Sequence, residues 1–338
     1  MKTYDTLIIG GGPAGLYAAF YAGLRGMSVK LIEHHQTLGG KLDIYREKFI
    51  WDIGGMPANT GDNVVQQLIE QAYTFGPDIS TGTTCEDITK VDGQFIASTT
   101  NGEFRAKSVI IATGLGIYSP VKLNISGAEK YEMSNLYYTV KDLKTFKDKD
   151  VLISGGGNTA VDWAHDLSGI ASSITLVCRK SELKGHEAMV GKLDKDNIHI
   201  IKGASIDTLI PNDDEDKIRS VQLSDGTEIF TDAVVINHGF DANSEFIGKL
   251  KEHIPMNDYQ MIETVNTVET GIPGLFACGD QITYDNRVHL IASCFPEAAM
   301  AANFAKTYIS GGEAPDEAIV SSHNEAFARK NKEMIEQI

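Results

Sequence analysis

The stretch Thr6-Leu-Ile-Ile-Gly-Gly-Gly-Pro-Ala-Gly15 constrains this chain more than any other. An apolar run breaks into glycines, and helical periodicity begins near Leu16. Gly10, Gly12 and Gly15 stand in the G-x-G-x-x-G spacing, with Pro13 and Ala14 between the last two. In that spacing the first glycine permits a tight turn, the second lets a pyrophosphate approach the backbone, and the third lets helix and strand pack closely. The start of the helix then offers free N–H groups and a partial positive charge to the phosphates. The spacing alone is a weak signal, since a glycine-rich structural loop can produce it. Context decides against that alternative. A strand precedes the motif, a helix follows, and a second strand, Val29-Lys-Leu-Ile-Glu33, ends in an acid. That acid falls about 20 residues on, where an adenosine ribose hydroxyl is bound.

The pattern then recurs. Asp150-Val-Leu-Ile-Ser-Gly155-Gly-Gly-Asn-Thr-Ala160 is again strand, glycine turn and helix, with Gly155, Gly157 and Ala160 in G-x-G-x-x-A spacing around Asn158 and Thr159. The strand that follows, Ser173 to Cys178, runs into Arg179 and Lys180 instead of an acid, with Lys184 just beyond. An acid accepts from a free ribose hydroxyl, whereas cations at that point match a 2′-phosphate. The first site therefore suits FAD and the second NADP(H). The competing reading of the cations is an ordinary charged strand end.

The marks of the first site occur early (Gly10 to Gly15, Glu33, Ala112-Thr-Gly114) and late (Gly279-Asp280), and those of the second lie between them. Asp280 ends an apolar strand, where its carboxylate can accept from a sugar-alcohol hydroxyl. The expected fold class is α/β: two Rossmann-like three-layer dinucleotide-binding domains, with an NADPH domain, 118–242, inserted into a discontinuous FAD domain, 1–117 and 243–338. Residues 115–120 and 241–246 read as linkers that make a hinge. Asn101-Gly102 between two alternating runs predicts a hairpin. Apolar positions from Asp62 to Phe75, from Leu290 to Ile309 and from His323 to Ile338 predict helices. Asp213 to Asp216 reads as a solvated hairpin tip.

A length of 338 residues with 42% hydrophobic content allows two full cores. The formal net charge of -16 argues against nucleic acid or an anionic membrane as a partner. No run is long enough to span a bilayer. The first residues enter the glycine motif without a secretory signal, so the expected location is cytoplasmic. Cys85, Cys178, Cys278 and Cys294 form no C-x-x-C and suggest neither a zinc site nor a local redox pair.

In combination, these motifs resemble the low-molecular-weight thioredoxin reductase-like flavoproteins, and the resemblance covers nearly the whole chain. Thioredoxin reductases carry a redox C-x-x-C shortly before the second glycine motif. Here that window is Tyr138-Thr-Val-Lys141, so thioredoxin-type dithiol exchange is not expected. Disulfide reductases that place a cysteine in the first motif are disfavoured by Ala14. The chain is most similar to ferredoxin–NADP+ reductases of the thioredoxin reductase-like type, through Tyr45 before Arg46-Glu47-Lys48, Gly185-His186-Glu187, Leu290 to Glu297, and a C-terminal extension carrying His323. The resemblance implies hydride transfer between NADP(H) and FAD coupled to one-electron exchange with ferredoxin or a flavodoxin-like carrier. It also implies a homodimer, and no catalytic side chain, since the flavin carries the chemistry. Tyr45 and His323 are the implied flavin neighbours, and Lys41, Ile88, Tyr118 and Glu325 are further implied FAD contacts. The chain departs from the family at Lys41, where a glutamine is usual, at Cys294 and Pro296 in place of glycines, and at Glu325 in place of a hydroxyl residue. Lys41 near the flavin would stabilise its anionic reduced form. The rival functions are a disulfide or peroxide reductase using two of the scattered cysteines, and a flavin-bearing redox sensor.

Overall fold

A computed structural model describes residues 2–185, 187–193, 198–243, 245–266, 268–312 and 325–336. The chain divides into two compact units, Met1–Ile117 with Asn243–Ile338, and Tyr118–Ala242. Both are built on a parallel sheet, in a fold of two dinucleotide-binding domains.

In the first unit the strands run in the order Asp78–Ser80, Val29–Ile32, Thr3–Ile9, Gly102–Ile111, Gln94–Thr99, Cys85–Val91. The second half of Gly102–Ile111 also pairs in parallel with Leu275–Ala277, from the far end of the sequence. Ile9 lies level with Ile32 and with Ile111, and Ile111 with Ala277. Four strands thus end together, so Gly10, Glu33, Ala112 and Cys278 emerge at one edge. Ligands of such sheets bind outside the carboxyl ends of the strands.

Alternation along the strands sorts the core. Ile8, Leu31, Ile110 and Phe276 face the helices Pro13–Leu24, Gly61–Ala72 and Ile291–Ile309. Leu7, Ile9, Ile32 and Ile111 face the other way, toward Phe95, Phe246, Ile247 and Leu250. The opening helix meets Ile291–Ile309 through small residues, Ala18, Ala19 and Ala22 against Ala298, Ala301 and Ala302, which lets the two backbones come close. Helix Gly61–Ala72 starts at Thr60, whose side chain accepts from Asn63 N–H, and it buries Val64, Val65 and Leu68. The hairpin around Asn101-Gly102 forms between Gln94–Thr99 and Gly102–Ile111. Its neighbour Cys85–Val91 was not legible in the sequence because its burial is irregular. The C-terminal helix, Glu325–Ile335, seats Phe327 against Phe20 and Phe75 (ring centroids 6.4 and 5.4 Å).

The second unit has a five-stranded parallel sheet in the order Leu136–Tyr137, Ala233–Ile236, Asp150–Ser154, Ser173–Cys178, His199–Lys202. Helix Asn158–Ser168 covers one face, where Trp163 and Leu167 pack on Ile153, Leu176 and Val235. On the other face a three-stranded antiparallel sheet packs Leu209, Val221 and Leu223 against Leu152, Val177 and Val234. Asp213 to Asp216 sits at the exposed tip between strands Ile206–Pro211 and Ile218–Leu223. Residues 115–120, expected as an irregular linker, contain strand Ile117–Pro120, which pairs with Phe240–Asn243. The two crossings thus satisfy part of each other's backbone hydrogen bonding. No helix among the described residues is long and apolar enough to cross a membrane.

Candidate functional site

At the carboxyl edge of the first sheet the glycine motif forms the turn between Thr3–Ile9 and helix Pro13–Leu24. A methyl group at Gly15 would fall 1.9 Å from the Gly10 carbonyl oxygen, so helix and strand pack here only because Gly15 has no side chain. The helix begins at Gly12 with no side-chain cap and with Pro13 in its first turn, which leaves backbone N–H groups at its mouth. Glu33 is buried, and its Oε2 accepts from Gly11 N–H (2.6 Å) while Oε1 accepts from His35 N–H (2.8 Å). Each carboxylate oxygen has more than one lone-pair site, so the pair of bonds aims Glu33 without saturating it.

The turn Gly40–Tyr45, which carries Lys41 and Tyr45, is tied to this loop by Gly39 N–H donating to the Gly11 carbonyl (2.9 Å). Arg46 anchors its far end on Asp43 and Asp62. Lys41 is exposed and Tyr45 half-buried. Asp280 follows Gly279, whose turn packs so closely on the helix start that a methyl there would lie 2.9 Å from the Ala14 Cβ. The structure thus gathers Gly10, Gly12, Pro13, Ala14, Gly15, Glu33, Lys41, Tyr45 and Asp280 around one loop. It does not bring the Ile88 side chain there. Ile88 packs in the second core cluster, and the segment just before it makes the contacts instead. Thr83 N–H donates to the Glu33 carbonyl (2.8 Å), and Thr84 Oγ lies 2.7 Å from His34 Nδ1. His186 and His323 lie outside the described residues, as do the side chains of Tyr118 and Glu325.

Sequence reasoning missed what holds Asp280. Glu297, inside the Ala-rich helix, and Arg287 are each only 1% exposed at the side chain. The Glu297 carboxylate accepts from Gly279 N–H (2.9 Å), Tyr284 O–H (3.0 Å), Arg287 Nε (2.9 Å) and Arg287 Nη2 (3.2 Å). Arg287 also lies 3.6 Å from Asp280. Burial opposes the guanidinium charge, but the hydrogen bond and charge of Glu297 raise its pKa above the ordinary value. A charged residue among alanines at 297 was the available signal.

The second unit holds a cleft of about 530 Å³ at the matching edge of its own sheet. Every second-site residue expected from the sequence lines it: Gly155, Gly157, Asn158, Thr159, Ala160, Arg179, Lys180 and Lys184. A methyl at Gly155 would fall 2.5 Å from the Asn237 carbonyl oxygen. Lys184 is drawn in by its own N–H, which donates to the Gly156 carbonyl (2.6 Å). Lys180 has its pKa lowered, first by its contact with the Lys184 side chain and its charge, and further by Arg179. Three exposed cations thus crowd one wall, an arrangement that an anion relieves. Ser154, Asn237, His238 and Tyr138 also line the cleft and were not singled out as binding residues beforehand. Three of them flank strand ends level with the glycine turn, which only the pairing register reveals. Tyr138 stands at the first position of the window where thioredoxin reductases carry their dithiol, and its hydroxyl accepts from Leu123 N–H (3.2 Å).

Two glycine turns, each opening a helix at the carboxyl edge of a parallel sheet, agree with the match of a family model over residues 4–302. The chain belongs to the pyridine nucleotide-disulphide oxidoreductase family. It is 45% identical to "Ferredoxin--NADP reductase 2" of Exiguobacterium sibiricum, over 100% of this chain and 97% of that one. It is 44% identical to "Ferredoxin--NADP reductase 1" of Bacillus mycoides, over 100% and 98%. Among solved structures, Lactococcus lactis thioredoxin reductase in its FR conformation superposes with a TM-score of 0.72 at 29% identity, covering 91% of this chain and 99% of that one. Residues 138–141 contain no cysteine. All four cysteines are buried and free.

Proposed function

We propose that this protein is an FAD-dependent ferredoxin (or flavodoxin)–NADP+ oxidoreductase. One observation carries the reading: full-length likeness to ferredoxin–NADP reductases, joined to a tyrosine on the cleft wall where dithiol enzymes have a cysteine. FAD is the cofactor of the first unit, with the pyrophosphate over Gly10 to Gly15, the ribose on Glu33, and Asp280 on the ribityl side. The geometry fits that group: an uncapped helix mouth, a close-packed glycine turn, and a buried carboxylate held by backbone N–H groups. NADP(H) is the ligand of the second unit, with Arg179, Lys180 and Lys184 on the 2′-phosphate. When bound, FAD exchanges a hydride with the nicotinamide and single electrons with the carrier protein.

The chain's own part is binding and orientation. Glu297 and Arg287 fix Gly279, and through it Asp280. Gly39 and Arg46 fix the turn bearing Lys41 and Tyr45. By resemblance, His323 and Glu325 of the C-terminal extension, and Tyr118, are further FAD contacts. The active form is a homodimer.

The disulfide reductase reading has one observation in its favour: Cys278 and Cys294 share a core cluster and interact electrostatically. Burial, however, pushes the Cys278 thiol well above its usual value and the Cys294 thiol to about 12. The thiolate is the nucleophile in disulfide exchange, so the raised values argue against this pair as a redox dithiol.

Anaerobic titration of the purified FAD-loaded protein with NADPH, followed by assays with ferredoxin, flavodoxin and thioredoxin, tests the proposal. Reduction of ferredoxin or flavodoxin is expected. Reduction of thioredoxin alone would overturn the reading.

A further inference from the structure

His238 stands on the wall of the second-unit cleft, and nothing in the nucleotide fingerprint accounts for it. The register delivers it there. Ile236 lies level with Ser154, Asn237 N–H donates to the Ser154 carbonyl (2.8 Å), and the next side chain reaches back to place Nε2 at 2.9 Å from Ser154 Oγ. The imidazole thus sits beside Gly155, the first glycine of the turn. Among the described residues no hydrogen bond engages Nδ1. A neutral histidine donates from one nitrogen and accepts at the other. In the tautomer in which the Ser154 hydroxyl donates to Nε2, Nδ1 carries the proton and is left as a donor on a residue that lines the cleft.

The charged and titratable groups on the surrounding walls are Arg179, Lys180 and Lys184, with Glu182, Cys178 and Tyr138. We propose that His238 is a proton-linked contact of the dinucleotide, donating from Nδ1 to its phosphate chain and taking up a proton as the nucleotide enters the cleft. The proposal rests on reading this cleft as the NADP(H) site. Desolvation first, and the Arg179 charge second, hold His238 below its ordinary value of 6.5, so it is neutral near pH 7 in the free protein. Phosphate charges beside the ring favour the imidazolium and raise that value in the complex. Between the two values binding takes up protons, so affinity rises as pH falls. A rise of one pKa unit makes binding about tenfold tighter below the window. The 2′-phosphate cannot mimic this. Phosphate monoesters lose their second proton near pH 6, so a cationic site releases protons from them, with the opposite sign.

The test is calorimetric titration of the FAD-loaded protein with NADP+ between pH 6 and 8, in buffers of different ionisation enthalpy, on wild type and His238→Gln. Glutamine can still donate but cannot titrate. Wild type should take up a fraction of a proton per nucleotide and bind more tightly at pH 6 than at pH 8. In the variant, binding should weaken, the uptake should vanish, and the pH trend should flatten or reverse. Equal uptake and equal pH dependence in both proteins would overturn the assignment to His238. Failure of wild type to bind NADP+ at any pH would instead overturn the nucleotide site itself.

Discussion

Replacing Glu297 by glutamine changes only one oxygen to an amide, yet it disrupts a buried carboxylate that accepts from four donors. These are Gly279 N–H, Tyr284 O–H, and two nitrogens of Arg287. An amide group turned one way sets its NH2 against Gly279 N–H and Arg287 Nη2. Turned the other way, it faces Arg287 Nε and Tyr284. Each donor left unmatched in a buried site costs about 1–3 kcal/mol. The Arg287 side chain, 1% exposed, also loses its close anion and keeps the Asp280 carboxylate at 3.6 Å and His289 Nδ1 at 2.7 Å. Breaking a buried ion pair from one side costs about 3–5 kcal/mol, and we expect Glu297→Gln to fall in that range. Urea unfolding at fixed excess FAD is the assay, because a bound ligand shifts apparent stability. The double variant Arg287→Met with Glu297→Leu should recover much of the loss, because removing both charges removes the unpaired one. It should still bind FAD poorly, since Gly279 and Asp280 lose their anchor. A loss below about 1 kcal/mol for Glu297→Gln would refute this account of the network.

The other expectations concern the two glycine turns, the cations, the thiols and Lys41. Lys180→Ala with Lys184→Ala should raise the KM for NADPH at least tenfold while leaving that for NADH nearly unchanged, as loss of charged hydrogen bonds worth about 1.5–3 kcal/mol requires; an unchanged ratio of the two KM values would count against a 2′-phosphate site. Gly15→Ala should yield protein without flavin absorbance, and Gly155→Ala should keep the flavin but lose NADP+ binding, because their methyl groups would lie 1.9 and 2.5 Å from carbonyl oxygens. Cys85 and Cys294, both raised to about 12 by burial, and Cys278, raised well above its usual value, should resist iodoacetamide at pH 8 until the protein is unfolded. The folded state keeps these thiol protons while the unfolded state releases them, so stability should fall as pH climbs past the ordinary thiol value, visible as a declining urea midpoint above about pH 8.5. Lys41→Gln should lower the flavin midpoint potential, measured by spectroelectrochemical titration; an unchanged potential would show that Lys41 does not stabilise reduced flavin.

Much of the site was legible because its chemistry is local. Gly10 to Gly15 and Gly155 to Ala160 are each a single turn with a recognisable spacing, and Gly15 is required by the Gly10 carbonyl five residues before it. Glu33 and the Arg179-Lys180 pair end strands a fixed distance after those turns, so the acid-for-cation exchange could be read as a difference in nucleotide. The resemblance supplied Tyr45 and Lys41, and the structure ties their turn to the Gly11 carbonyl.

What the sequence could not show depends on pairing between distant segments. Leu275–Ala277 joins Gly102–Ile111 across about half the chain, and that register puts Gly279, the residue before Asp280, beside Ala14. Arg287 and Glu297 are ten residues apart and look like ordinary surface charges until the helix Ile291–Ile309 is packed, whereupon both are buried and must neutralise each other. His238 follows an unremarkable apolar strand, and it becomes a cleft residue because Ile236 lies level with Ser154. Local sequence determined where the backbone turns and which charges end its strands. The tertiary structure decided which of those ends face one another, because side-chain burial and strand register are set by partners far away in the chain.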